Sequence, residues 1–133
     1  MKTLFLQAPS YDGFDGGAGS RYQAKREIKS FWYPTWLAQP AALVPDSRVL
    51  DAPADGLGVE QTLNIAVDYD LVIIHTSTPS FPTDARFAEQ LKERRPDIMI
   101  GMGGAKAAVD PGGTLSATEV IDFVCREEFD YTC

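Results

Sequence analysis

Two cysteines and one histidine are all that this chain of 133 residues carries of the side chains that most often ligate metals or pair as nucleophile and base. Cys125 falls in a predicted strand and Cys133 is the last residue. That spacing fits no zinc or iron–sulfur motif and reads as one buried and one exposed thiol. Nothing in it points to an oxidising compartment. With His75 as the lone imidazole, a hydrolytic triad has little to be built from, and no two-carboxylate or metal constellation stands out. No metal ligands and no catalytic set are expected. Long apolar runs are also missing. None reaches transmembrane length, and the start at Met1 meets Pro9 too soon for a signal peptide, so the chain reads as cytoplasmic. Positive charge is scarce, with 12 Lys and Arg against 19 Asp and Glu and a net charge of −7. Such a field repels phosphate backbones and argues against nucleic acid as a partner.

What is present suits one globular domain, residues 1–133, since 44% of residues are hydrophobic and 23% charged. Leu4–Leu6 reads as a buried first strand closed by Ala8-Pro9-Ser10. The stretch from Tyr11 to Ser30 opens too rich in glycine for a helix. It then carries Arg21, Lys25, Arg26 and Lys29 near helical spacing, so a functional flap with a short basic helix is expected. Pro34 suits a first helical turn, which predicts a helix over Thr35–Leu43 that Pro40 kinks or ends. Strands follow at Arg48–Asp51, Leu71–Ile74, Ile98–Met102 and Ile121–Cys125. Leu71–Ile74 has no alternation and is expected at the sheet centre, covered on both faces. Helices are expected over Val59–Asp68, with Val59, Leu63 and Ala66 or Val67 on one face, and over Thr83–Arg95, capped by Thr83 with Phe87 and Leu91 inward. A weak helix or turn is expected over Leu115–Glu119. Strands alternating with helices predict an α/β fold, a flavodoxin-like three-layer sandwich with a parallel sheet in the order 2-1-3-4-5.

Ligands of such sheets sit beyond the carboxyl ends of the strands, beside strands 1 and 3. The loops to inspect are Pro9 onward, His75–Pro82 and Gly103–Val109. The second holds Thr76, Ser77, Thr78 and Ser80 between two prolines, either a ligand-binding loop or a tight turn capping the next helix. His75 is either a site residue or a packed core histidine. In the third, Gly103-Gly104 lets backbone lie against a bulky ligand, although the Gly-x-Gly-x-x-Gly fingerprint is not met. A receiver domain would need an aspartate closing strand 3, where His75 stands. A flavodoxin would need a hydroxyl-rich loop directly after strand 1, which here begins Pro9-Ser10-Tyr11-Asp12.

Ala8-Pro9-Ser10, Tyr33-Pro34-Thr35-Trp36-Leu37-Ala38, Gly103-Gly104-Ala105 and Ile121-Asp122-Phe123-Val124, followed by Arg126-Glu127-Glu128, occur here in this order. Together they resemble the amino-terminal cobalamin-binding domain of B12-dependent radical SAM enzymes. Phe14–Tyr22 and Ser30–Leu37 look more narrowly like the hopanoid-biosynthesis members thought to make the cyclitol ether head group of bacteriohopanetetrol. The resemblance implies cobalamin lying across the strand ends, with Pro9, Ser10, Thr76, Ser77, Thr78, Gly103, Gly104 and Ala105 as cofactor-binding residues. In related methionine-synthase-type domains a histidine in Asp-x-His-x-x-Gly after strand 1 ligates cobalt. This chain has none there, and Ser77-Thr78-Pro79 stands where those domains carry Ser-x-Leu after strand 3.

The resemblance further implies a longer parent protein. Its barrel would hold a 4Fe-4S cluster and S-adenosylmethionine, for which this chain lacks the Cys-x-x-x-Cys-x-x-Cys motif. That barrel would be the domain's own partner, with peripheral membrane access to a lipid substrate whose hexose-like head group contracts to a cyclitol. Glu127–Cys133 reads as the first turn of a helix that the chain does not complete, so self-association through an uncovered apolar face around Phe129 is expected. The rival readings are a domain of the same fold that binds no cofactor and serves as an interaction surface, and an unrelated small-molecule sensor.

Overall fold

The computed structural model describes residues 1–9, 11, 35–78 and 80–126. The predicted flap, apart from Tyr11, lies outside the described residues, as do Ser10, Pro34 and the carboxyl-terminal Glu127–Cys133. The described elements are β1 (Thr3–Gln7), α1 (Thr35–Leu43), β2 (Ser47–Asp51), α2 (Val59–Ala66), β3 (Leu71–His75), α3 (Phe81–Arg94), β4 (Met99–Gly103), α4 (Ala105–Val109), α5 (Pro111–Ser116) and β5 (Phe123–Val124). The five strands form one parallel sheet in the order β2-β1-β3-β4-β5, the flavodoxin-like arrangement expected.

Period-two alternation splits the sheet's side chains between two layers. Leu4, Leu6, Leu50, Val72, Ile74, Ile100 and Met102 pack against Leu63 and Ala66 of α2 and Phe87, Ala88 and Leu91 of α3. Phe5 and Ile73 point the other way, toward Leu37 of α1 and Cys125, with Trp36, Val49 and Phe123 around them. β3 is central and buried along nearly its whole length, which is why its sequence shows no polar alternation. The expected inward residues of α2 and α3 are all in or against this core.

Four local expectations need correction. Pro40 is buried inside α1 without ending it, and the helix runs three residues further, to Leu43. α3 starts two residues before the expected Thr83 cap, with Ser80 in the cap position and a proline in the first turn, where a missing N–H costs nothing. Thr83 instead donates its hydroxyl to the Ser80 carbonyl at 2.8 Å. The stretch Gly103–Val109, expected as a loop, is the end of β4 followed by α4, and the weak helix expected at Leu115–Glu119 is α5, which begins four residues earlier. Asp110 starts α5 by accepting the Gly113 N–H at 3.0 Å, with Pro111 behind it, so a cap compensates for two glycines of poor helix propensity. β5 is two residues long, not five. The Asp122 carboxylate accepts the Ile100 N–H at 2.7 Å and thereby does the work of a ladder carbonyl; Lys92 holds its charge at 2.9 Å.

Gly101 lies where β5 crosses closest to β4. A Cβ there would run into the Phe123 ring. Gly101→Ala should therefore destabilise the chain by about 1–3 kcal/mol, as overpacking does. Urea denaturation would measure it, and a Phe123→Ala background should remove most of the penalty.

Candidate functional site

The strand order leaves β1 and β3 adjacent while their following segments diverge, β1 toward α1 and β3 toward α3. The crevice above that pair is where this fold receives ligands. Gln7 closes β1 directly beside it. Its side chain is fully buried, and neither its amide nitrogen nor its amide oxygen has a hydrogen-bond partner among the described residues. The indole Nε1 of Trp36, in the first turn of α1, is buried and unpartnered in the same way. The Trp36 ring lies 5.5 Å from the His75 ring at the end of β3, so Trp36 and His75 meet on the α1 face, the face to which Gln7 also belongs by strand alternation. His75 is 8% exposed and packed, the second of the two positions left open for it.

The second wall comes from β3 and β4. The Thr76 N–H donates to the Gly103 carbonyl at 2.8 Å and so extends the ladder one residue past β3. Gly104 follows with φ +105°, a conformation that side chains rarely allow. A Cβ on Gly104 would run into the Thr76 carbonyl and approach the His75 Nε2 to 2.9 Å. The two strand mouths are thus drawn together by a bare backbone, and the Gly-Gly pair serves that approach.

The loop after β3 is held from below by hydroxyls. Ser80 Oγ lies 2.9 Å from Ser77 Oγ and accepts the Ser77 N–H at 3.1 Å. It donates to Asp84 Oδ2 at 2.8 Å. Asp84 is 1% exposed. Burial pushes its carboxyl up to about 7, against the hydrogen bonds of Ser80 and Thr76, which hold it down. At the other side of α3, Tyr11 donates its phenol to Gln90 at 2.8 Å and stacks under Arg86, which ties the chain leaving β1 to that helix.

Of the residues expected to hold a cofactor, Thr76, Ser77, Gly103 and Gly104 form one continuous patch across the β3 and β4 mouths. Thr78 is exposed at its edge, Ala105 is an exposed first residue of α4, and Pro9 is buried past the end of β1. Ser10 lies outside the described residues. Gln7, Trp36 and Asp84 were missed. Gln7 and Asp84 look in sequence like a strand terminus and an ordinary first-turn acid, and only tertiary burial distinguishes them. Among the described residues no group of three His, Cys, Asp or Glu is placed to hold a metal ion. No helix among them is long and apolar enough to cross a membrane. A groove of about 470 Å3 between α3 and the turn before β5, lined by Glu89, Lys92, Glu93 and Glu119, lies toward the amino ends of the strands, away from this site.

Residues 24–133 match the model of the B12 binding domain, well over half of the chain. The chain belongs to the B12-binding domain family. Neither curated proteins nor solved structures give a match. The glycine approach, the serine loop and the Gln7 amide, unpartnered among the described residues, all sit at the strand ends where this fold takes a ligand.

Because the folded carboxyl of Asp84 titrates above its unfolded value of 3.8, the folded state holds more protons between pH 4 and 7. The contribution of Asp84 to stability is full below about pH 4 and is lost as the pH rises to about 7. The stability difference between the wild type and Asp84→Asn should therefore shift against the wild type over that window. Its size is on the order of 4 kcal/mol, and it should level off above pH 7. Urea denaturation of both proteins from pH 4.5 to 8.5 would show it.

Proposed function

We propose that this domain binds cobalamin across the carboxyl ends of β1, β3 and β4, as the cofactor module of a radical SAM enzyme. The observation that carries the reading is Gln7. A buried amide with no partner costs about 1–3 kcal/mol, and a fold tolerates that at a place where a ligand restores the bonds. Gln7 and the Trp36 Nε1 are covered in the free chain; once uncovered by binding they would meet amide-rich edges of the cofactor, since an amide both donates and accepts. Ser77 and Thr78 would meet it from the β3 loop, and Gly103 and Gly104 would let the ring approach the backbone. When bound, cobalamin would supply organocobalt chemistry to the reaction of the parent enzyme. The chain itself contributes binding, orientation and exclusion of water.

The finer reading is a parent enzyme of hopanoid head-group biosynthesis whose barrel, iron–sulfur cluster and S-adenosylmethionine complete the reaction on a lipid substrate. It is supported by the motifs at Phe14–Tyr22 and Ser30–Leu37, read together with family membership. The loop after β1 carries no histidine, so in this reading cobalamin is held by hydrogen-bonding groups and bare backbone.

The test is retention of the corrin spectrum after hydroxocobalamin is mixed with the chain and the mixture desalted. Thr78→Trp, at the exposed edge of the patch, should abolish retention while the circular dichroism spectrum stays folded. Gln7→Leu should raise the stability of the free chain by about 1–3 kcal/mol and weaken cobalamin binding at the same time. A wild type that retains no corrin would instead favour an interaction domain that binds no cofactor.

A further inference from the structure

Under the loop after β3, a carboxyl and two hydroxyls form a line from the interior to the mouth of the sheet. Asp84 and Ser80 are each 1% exposed, whereas Ser77, two residues past the end of β3, is half-buried. Ser80 Oγ donates to Asp84 at 2.8 Å, lies 2.9 Å from Ser77 Oγ, and accepts the Ser77 N–H at 3.1 Å. Cofactor binding as described uses Ser77 and gives Asp84 no task.

Counting protons and lone pairs assigns one. A hydroxyl has one proton to give and two lone pairs to fill. With Asp84 ionised, Ser80 gives its proton to the carboxylate and accepts the Ser77 N–H. One lone pair remains for the Ser77 hydroxyl, which turns inward and shows only lone pairs to the crevice. With Asp84 protonated, its O–H fills that lone pair. The Ser80 proton then turns to Ser77 Oγ, and the Ser77 proton must point outward. One proton is added, two hydroxyls rotate, and no covalent bond other than the O–H on Asp84 is made or broken.

We propose that Asp84 is a positioning residue that acts through Ser80 on Ser77, making Ser77 a hydrogen-bond donor to an oxygen of the bound corrinoid only when Asp84 carries its proton. The proposal rests on the cobalamin reading of the site. An oxygen is the expected partner because α3, 14 residues long, begins just beyond Ser80 and turns its positive end toward the loop. A corrinoid offers such oxygens on its rim carboxamides and on the phosphodiester of its nucleotide tail.

The groups acting on the carboxyl of Asp84 are hydroxyls, Ser80 of the line and Thr76 beside it; burial is the largest cause of its shift. The charged and titratable groups of neighbouring elements are engaged elsewhere. Lys106 of α4 pairs with Asp110, Arg86 of α3 lies over the Tyr11 ring, and His75 of β3 packs beside Trp36.

The experiment is equilibrium dialysis of the chain against cyanocobalamin, which has no group titrating between pH 6.5 and 8.5, across that range. Wild-type Kd should rise about tenfold as Asp84 loses its proton. Asp84→Asn should give a flat profile near the low-pH affinity, because its amide N–H replaces the acid O–H. Ser77→Ala should also flatten the profile, while the Asp84 carboxyl, followed by carbon NMR, still titrates near neutrality. Dicyanocobinamide lacks the phosphodiester: a retained slope assigns the oxygen to the rim, a lost one to the tail, and either supports the relay. A flat wild-type profile, or a slope that survives Asp84→Asn or Ser77→Ala, overturns the relay alone. No cyanocobalamin bound at any pH overturns the cobalamin reading and the relay with it.

Discussion

The pairing of β1 with β3 is the constraint on which the molecule depends. Thr3 through Leu6 register against Leu71 through Ile74, in the middle of the sheet, with both strands buried on both faces. Backbone groups so placed have no access to water, so the parallel ladder is the means of satisfying them. The chain enters this pair from opposite directions of winding. β1 is the last strand wound toward α1, and β3 the first wound toward α3, so the connections part above the pair. The crevice is a geometric consequence of the order, and everything assigned to the site is what the sequence places around its rim.

The polar groups tied into the fold are of two kinds, half-exposed ones that complete backbone and ones whose polar atoms are fully buried, and the contrast separates scaffold from site. Asp122 and Asp110 use carboxylates to complete backbone: Asp122 takes the Ile100 N–H and Asp110 the Gly113 N–H, each with a lysine alongside. The Lys106 hydrogen bond, followed by that of Gly113, holds Asp110 below the usual carboxylate range. Arg95 likewise closes the end of α2 through the carbonyls of Val67 and Tyr69 while paired with Asp70. These groups sit away from the strand mouths and are satisfied. Among the described residues the Gln7 amide and the Trp36 Nε1 have no partner, and the carboxyl of Asp84 is met by hydroxyls and no cation. All three lie at or beneath the carboxyl ends of the strands. A fold selected for stability alone would place apolar side chains at such positions.

The sheet was legible because its signals are local. Continuous apolar runs marked β1 and β3, and glycine and proline punctuated the turns between them. α1 was read to the residue, and Pro40 was misjudged because its cost depends on one lost bond inside an otherwise packed helix. α5 was placed too late because Gly112 and Gly113 suppress a propensity reading that the Asp110 cap reverses, and α4, only five residues long after Gly103-Gly104, was read as loop. β5 was read too long because the Asp122 carboxylate stands in for backbone, which a strand pattern cannot show. For the site, the rim residues Thr76, Ser77, Gly103 and Gly104 followed from topology alone. What lies beneath them did not, because burial of a glutamine or an aspartate is decided by elements distant in sequence.

The same contrast bears on how a B12-binding domain can work without an imidazole in the loop after β1. The chain's one histidine, His75, is enclosed by the Trp36 ring and the bare Gly104 backbone. Affinity must then come from the periphery of the ligand. Peripheral hydrogen bonds are individually modest, about 0.5–1.5 kcal/mol net, unless the protein groups are already desolvated and unpaired before binding. Gln7 and Trp36 are in that state in the free chain, so their desolvation is complete before the ligand arrives. Groups that start out solvated would spend most of their bond energy on shedding water. A histidine ligand concentrates binding at one atom, whereas hydrogen-bonding groups and bare backbone around a crevice would distribute it.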